Sequence, residues 1–284
     1  MAGTIQTVHN AVDRTFERLR AAGRLAFIPY LTAGYPDAES ALLLGQTLAA
    51  HGADLLEVGV PFSDPIGDGP TIQRSSSLAL ARGMTVRGAL KLAAALAQCT
   101  DKPLVLMGYF NPILRYGLDR FCADAAAAGV AGLIVPDLPV EESDELRSCC
   151  HAHGLHLVYL LAPTSTEARI ASVAARATGF IYCMAVAGVT GARSDLASDL
   201  GTFLARVRAR TALPLVVGFG ISRPEHVERL RGSADGAVVA SALIDLMDTT
   251  PPAERESAVA AYVERMSAAC RRQPRRAPAS GGSV

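Results

Sequence analysis

Two hydrophobic periods alternate along the chain. Over residues 4–22, Val8, Val12, Phe16 and Leu19 recur at spacings of three and four, which predicts a helix stopped at Gly23. Leu25–Leu31 is then a short, unbroken apolar run, the pattern of a strand covered on both faces. This pairing repeats to the end of the chain. Further strands are predicted around Glu57 and at Pro103–Met107, Ala131–Val135, Leu155–Leu161, Gly179–Met184, Pro214–Val217 and Asp235–Val239. Helical spacing is read at 37–51, 71–81, 85–99, 118–128, 140–152, 166–177, from the loop Ala185–Ala197 to about Arg210, from Pro224, after Ser241, and over 252–270.

Eight strand–helix units joined by short loops predict a single (β/α)8 TIM barrel with an extra N-terminal helix. The rival architecture is an open doubly wound sheet. No G-x-G-x-x-G follows the first strand, which weighs against its dinucleotide-binding form. The barrel is assigned to residues 1–271. The Pro-, Gly- and Ser-rich stretch 272–284 reads as a disordered tail.

Composition narrows the class. Half of the 284 residues are hydrophobic and the formal net charge is zero, with Arg-rich sequence only at 271–276, so nucleic-acid binding is not expected. No apolar run reaches the roughly 20 residues of a membrane span, and Met1–Asn10 lacks the layout of a secretory signal. The six cysteines form no C-x-x-C and read as reduced thiols of a cytoplasmic protein.

Barrel active sites lie where strands end and loops begin. The stretch Leu55–Gln73 is the most informative of these junctions. Strand alternation puts Leu55, Glu57 and Gly59 on one face and Leu56, Val58 and Val60 on the other. Glu57 reads either as an acid–base whose pKa is raised by burial, or as a buried acid paired with an arginine or backbone amides. Asp68, in the Pro- and Gly-rich loop that follows, reads either as a turn residue or as a functional acid over the barrel mouth. Three later segments follow successive strands: Gly188-Val189-Thr190-Gly191, Gly218-Phe219-Gly220-Ile221-Ser222, and Ala240-Ser241 at a helix start. Glycine backbones and helix N-termini suit a phosphate, although each glycine also serves a tight turn. His151, His153 and His156 fall at the opposite end, as a surface cluster, and no metal site is read from them. Lys91 and Lys102, the only lysines, lie away from the strand tips. If this barrel breaks a carbon–carbon bond, neither a Schiff base nor a metal is at hand, and the substrate must supply its own electron sink.

At this point the residues resemble the tryptophan synthase alpha subunit family. The resemblance rests on Leu56–Gln73, reading L-E-V-G-V-P-F-S-D-P-I-G-D-G-P-T-I-Q. Phe27–Pro36, Asn111-Pro112-Ile113-Leu114, Pro136–Ser143 and Gly188–Gly191 match as well, so that the likeness spans about Gly23 to Met247. It implies a barrel that cleaves indole-3-glycerol phosphate to indole and glyceraldehyde 3-phosphate, a retro-aldol step in tryptophan biosynthesis, with protonation at indole C3 creating the electron sink. It further implies Glu57 as acid and base, Asp68 as the partner of the indole N–H, Tyr182 near the acid, and Thr190, Gly191, Gly220, Ala240 and Ser241 around the substrate and its phosphate. No cofactor is implied for this chain. A beta subunit carrying pyridoxal phosphate, in an alpha2-beta2 assembly, is implied as partner. The chain departs from the family pattern at Gly108, at Ala185 and Ala187, and at Ala240, where glycine is usual and where alanine would weaken a phosphate site that needs positive φ. Three rival readings remain: a stand-alone indole-releasing lyase, a non-catalytic activator of a beta subunit, and an isomerase of another sugar phosphate.

Overall fold

The computed structural model describes residues 8–185, 195–218 and 220–271, and no side chain of 195–199. Its strands are β1 (Ala26–Thr32), β2 (Leu56–Gly59), β3 (Leu104–Met107), β4 (Val130–Ile134), β5 (His156–Leu161), β6 (Ile181–Met184), β7 (Leu215–Gly218) and β8 (Gly236–Val239). They pair in parallel and in sequence order, and β1 also pairs β8, so the sheet closes into a barrel. The helices are α1 (Ala11–Ala21), α2 (Ala38–Ala50), α3 (Pro70–Ala81), α4 (Val86–Cys99), α5 (Phe110–Tyr116), α6 (Leu118–Ala127), α7 (Asp144–Ala152), α8 (Glu167–Arg176), α9 (Asp195–Arg208), α10 (Pro224–Glu228), α11 (Ser241–Thr249) and α12 (Arg255–Arg271).

Side-chain alternation creates two cores. Ala26, Ile28, Leu55, Val105, Val158, Tyr182, Val216 and Val238 fill the barrel interior. Phe27, Leu31, Leu56, Val58, Leu106 and Leu133 face outward against the helices. Both faces are therefore apolar, which is why the strands carry no polar stripe.

The floor of the barrel is α1. Val12, Phe16 and Leu19 are buried among the interior residues, and the Phe16 ring lies 5.7 Å from that of Phe180. Burying each of the larger two is worth about 1.5–3 kcal/mol. The helix starts later than its apolar spacing predicts. Residues 8–10 are not helical, because Asn10 caps the helix at Ala11: its side chain accepts from the Val12 N–H, and Asp13 accepts from the Asn10 N–H. The Asn10 amide also donates to the Ala131 and Gly154 carbonyls, pinning the cap to the barrel floor.

Two other elements differ from the sequence reading. Helix α5 falls in a stretch to which the sequence pattern assigns no element, and the segment 140–152 divides at Ser143 into a 3-10 turn, Val140–Glu142, and α7. The histidine cluster also divides. His153 bonds Asp119 at the surface, whereas His156 is 1 % exposed inside the floor, with Nε2 2.7 Å from Asp13 Oδ2. A surface reading fails for His156 because its position on β5 faces inward.

Among the described residues no group of three or more His, Cys, Asp or Glu side chains is placed to hold a metal, and no helix is long and apolar enough to cross a membrane. The tail 272–284 lies outside the described residues.

Candidate active site

Glu57 lies on the inward face of β2, in register with Tyr30 of β1 and Val105 of β3. It is 2 % exposed, and its Oε2 has no hydrogen-bond partner. The pairing with an arginine or backbone amides that would make it purely structural does not protect that oxygen. Burial, and then the nearby Asp68 charge, push its pKa up to about 8. A carboxyl so placed holds its proton near neutrality and can return to take one back.

Asp68 stands two residues before α3, and its Oδ1 is sealed from solvent without a partner. It is not a simple turn residue, since the carboxylate turns towards the barrel mouth. Burial raises its pKa to about 6, against a hydrogen bond from Tyr109 that lowers it. The Tyr109 hydroxyl also accepts from the Gly67 N–H at 2.9 Å, and its ring stacks on Phe62 at 5.2 Å. One side chain thus fixes both the loop and the acid on it. Tyr109 carries no sequence signal beyond its neighbourhood, one of two adjacent aromatics, Tyr109 and Phe110, after strand three.

Two more tyrosines close over the interior. The Tyr182 hydroxyl, on β6, occupies the space above Gly218 at the end of β7, and the Tyr30 hydroxyl occupies the space above Gly59 at the end of β2. A side chain at either glycine would collide with its tyrosine. Tyr182, read from sequence as a site residue, therefore does face Glu57 and Asp68, whose charges both act on it. In the sequence Tyr30 is part of an apolar strand and of the matching stretch Phe27–Pro36, with no role of its own.

The anion-binding segments are partly visible. β7 and β8 are neighbours, so Gly220 and Ala240-Ser241 follow adjacent strand ends. Gly220 has φ +75, a conformation that needs glycine. Ala240 has φ −118, not a positive φ, so the handicap expected of an alanine that replaces a left-handed glycine does not arise. Ser241 opens α11, whose first N–H groups have no partner within the helix. The body of α11 is tied to the start of α3 by a Thr71 hydroxyl bond to Asp245 and by an ion pair of Arg74 with Asp248. Thr190, Gly191 and Ala187 lie outside the described residues. At Gly108 a Cβ would make only ordinary contact with Val60, so sterics do not require glycine there.

Comparison with known proteins agrees with this geometry. The sequence model of a family described as tryptophan synthase alpha chain matches residues 16–271. The chain belongs to that family. It is 51 % identical over 262 residues to the tryptophan synthase alpha chain of Chloroflexus aurantiacus, covering 92 % of this chain and 98 % of that one. It is 54 % identical over 244 residues to that of a Roseiflexus species, covering 86 % and 94 %. Among solved structures, tryptophan synthase subunit alpha from Legionella pneumophila superposes with a TM-score of 0.85 at 36 % identity, covering 92 % of this chain and 98 % of that one. A chain of Mycobacterium tuberculosis tryptophan synthase gives the same score and identity over 94 % and 100 %. As a member of the tryptophan synthase alpha chain family, the protein is an enzyme subunit of the lyase class.

Proposed function

We propose that this chain cleaves indole-3-glycerol phosphate to indole and glyceraldehyde 3-phosphate. The observation that carries the reading is the pair of inward carboxyls, Glu57 and Asp68, each with a buried oxygen that lacks a partner. Buried polar atoms without partners are rare and mark a place for a ligand. In this reading protonated Glu57 gives its proton to indole C3. Asp68, as carboxylate, accepts the indole N–H and stabilises the positive charge that develops on the ring. The bond from C3 to the glycerol chain then breaks. Its electron pair returns to the ring, and the carbinol proton passes to Glu57 as the aldehyde forms, which restores the acid. The phosphate would sit against Gly220 and the α11 N-terminus, and the family resemblance adds Thr190 and Gly191 as substrate residues.

Beyond the reaction, we infer a beta subunit as partner in an alpha2-beta2 assembly, with pyridoxal phosphate belonging to that partner, and a cytoplasmic setting. Apolar side chains left open on the mouth side support docking: Ile66 is 86 % exposed and Leu114 is 50 % exposed. A groove of about 580 Å³ is lined in part by Phe62, Arg87, Asn111, Pro112 and Tyr116, from the same two segments of chain and the start of α4. The test is indole release from indole-3-glycerol phosphate by the purified chain, alone and with a beta subunit. Release that the partner accelerates supports both proposals. Release unaffected by the partner leaves a stand-alone lyase, and no release in either case removes the reaction.

A further inference from the structure

Two buried sulfurs meet between the helices that precede and follow β4. Cys122 lies on α6 and Cys150 on α7, both buried, with their Sγ atoms 3.8 Å apart. One turn away on each helix, Asp119 Oδ1 and His153 Nε2 bond at the surface at 2.8 Å. The two helices are therefore held together at two levels, and the buried level is a thiol against a thiol. Cys149, the neighbour of Cys150, is half-buried, so α7 meets solvent beside the pair.

This pair takes no part in the chemistry proposed for the barrel. Both sulfurs belong to the outer core, between the sheet and the helices, and not to the barrel interior. Packing does not call for two thiols there, because any small apolar side chain fills such a place. What sulfur adds is reactivity.

The contact favours reaction of one sulfur with the other. Either sulfur can donate. A thiolate on Cys122 is held by the Cys150 S–H, which keeps the Cys122 thiol below its ordinary range against the opposing effect of burial. The same bond, and then burial, push the Cys150 thiol up. One member of the pair is thus readied as a nucleophile while the other keeps its proton. A disulfide is about 2.05 Å long, so closure asks the sulfurs to approach by only about 1.7 Å.

We infer that Cys122 and Cys150 form an oxidation site at which a small hydroperoxide makes a disulfide that staples α6 to α7. Hydrogen peroxide, little larger than water, reaches the pair through local opening of the short helix α7. The Cys122 thiolate attacks one peroxide oxygen. The O–O bond breaks, hydroxide leaves and takes up the proton that Cys122 gave up, and Cys122 becomes a sulfenic acid. The Cys150 sulfur then attacks the Cys122 sulfur. The S–S bond forms, the S–O bond breaks, and the departing hydroxide takes the Cys150 proton. Two thiols lose two electrons and two protons, and one peroxide becomes two waters. The bond joins residues 28 apart in sequence, which stabilises the fold by restricting the unfolded chain.

The test treats the purified full chain with one equivalent of hydrogen peroxide, alkylates it with N-ethylmaleimide in urea, and maps its peptides by mass spectrometry. Six alkylated cysteines are expected before treatment and two fewer after it, with Cys122 and Cys150 in one cross-linked peptide. The thermal midpoint rises by about 5 °C, and dithiothreitol reverses both changes. Cys149→Ala leaves the bridge in place, whereas Cys122→Ala and Cys150→Ala abolish the bridge and the thermal rise. The map of the unaltered chain decides the matter if neither of those two variants folds. Six alkylated cysteines after treatment, oxidation confined to Cys99 and Cys149, or a bridge from Cys122 to Cys149 would overturn the site. A Cys122–Cys150 bridge without a thermal rise would overturn the staple.

Discussion

Tyr182 and Gly218 share one volume: the phenol hydroxyl of the first fills the place where a side chain of the second would start. The two residues are on neighbouring strands, and Tyr182 pairs Val216, two positions before the glycine. Gly218→Ala should therefore displace Tyr182 from above Glu57 and lower kcat at least tenfold, while circular dichroism stays unchanged. Gly59→Ala should act in the same way through Tyr30. Full activity in both variants would show that neither tyrosine position matters to the reaction.

The carboxyl pair sets a pH window. Asp68, at about 6, must lose its proton to stabilise a cationic ring, and Glu57, at about 8, must keep its own. kcat/KM should rise through pH 6 and fall through pH 8, the two limbs belonging to the interacting pair. Tyr109→Phe removes the hydrogen bond that favours the Asp68 carboxylate. It should move the lower limb upward and leave the upper limb in place; an unmoved lower limb would exclude Asp68 as its source.

Glu57 also costs stability at alkaline pH. Below its ordinary value of 4.5 the proton is bound in both the folded and the unfolded chain. Between that value and about 8 the folded chain retains a proton that the unfolded chain releases, so stability falls as pH rises. Glu57→Gln should raise the unfolding free energy on the order of a few kcal/mol at pH 8.5 and change it little at pH 4, as read by urea denaturation. Equal effects at both pH values would contradict a raised pKa.

At the anion-binding end, the two small residues are not equivalent. Ala240→Gly should leave KM within about twofold, because φ there is already negative. Gly220→Ala forces a side chain into φ +75, at a cost of roughly 1–2 kcal/mol, and should raise KM severalfold. The reverse order would place the phosphate elsewhere.

Asn10→Ala removes the cap of α1 and both bonds to the floor. A loss of about 2–4 kcal/mol is expected from the chemical denaturation midpoint. A loss below about 0.5 kcal/mol would mean that apolar contact alone holds the helix.

The eight strands could be read from the sequence because each is a short apolar run ended by glycine, proline or a polar loop. Glu57 could be singled out because a charge inside such a run is anomalous, whereas Asp68, in the loop after it, was marked by the family resemblance rather than by its own pattern. What escaped depends on distant partners. Helix α5 is capped by the Asp137 carboxylate, which accepts from the Phe110 N–H at 2.9 Å across 27 residues of sequence, so no local cap marks its start. Tyr30 sits in Phe27–Leu31 as one more apolar ring, and its hydroxyl becomes informative only beside Gly59. His156 reads as polar surface until Asp13 arrives from α1 to meet it.

Because α1 fills the lower end of the barrel, the way to Glu57 among the described residues lies at the mouth that the Asp68 loop borders. In the proposed reaction substrate enters and both products leave on that side. An aldehyde and an aromatic product formed side by side must therefore depart in some order. A partner seated on that doorway would decide which of them escapes to solvent and which is handed on.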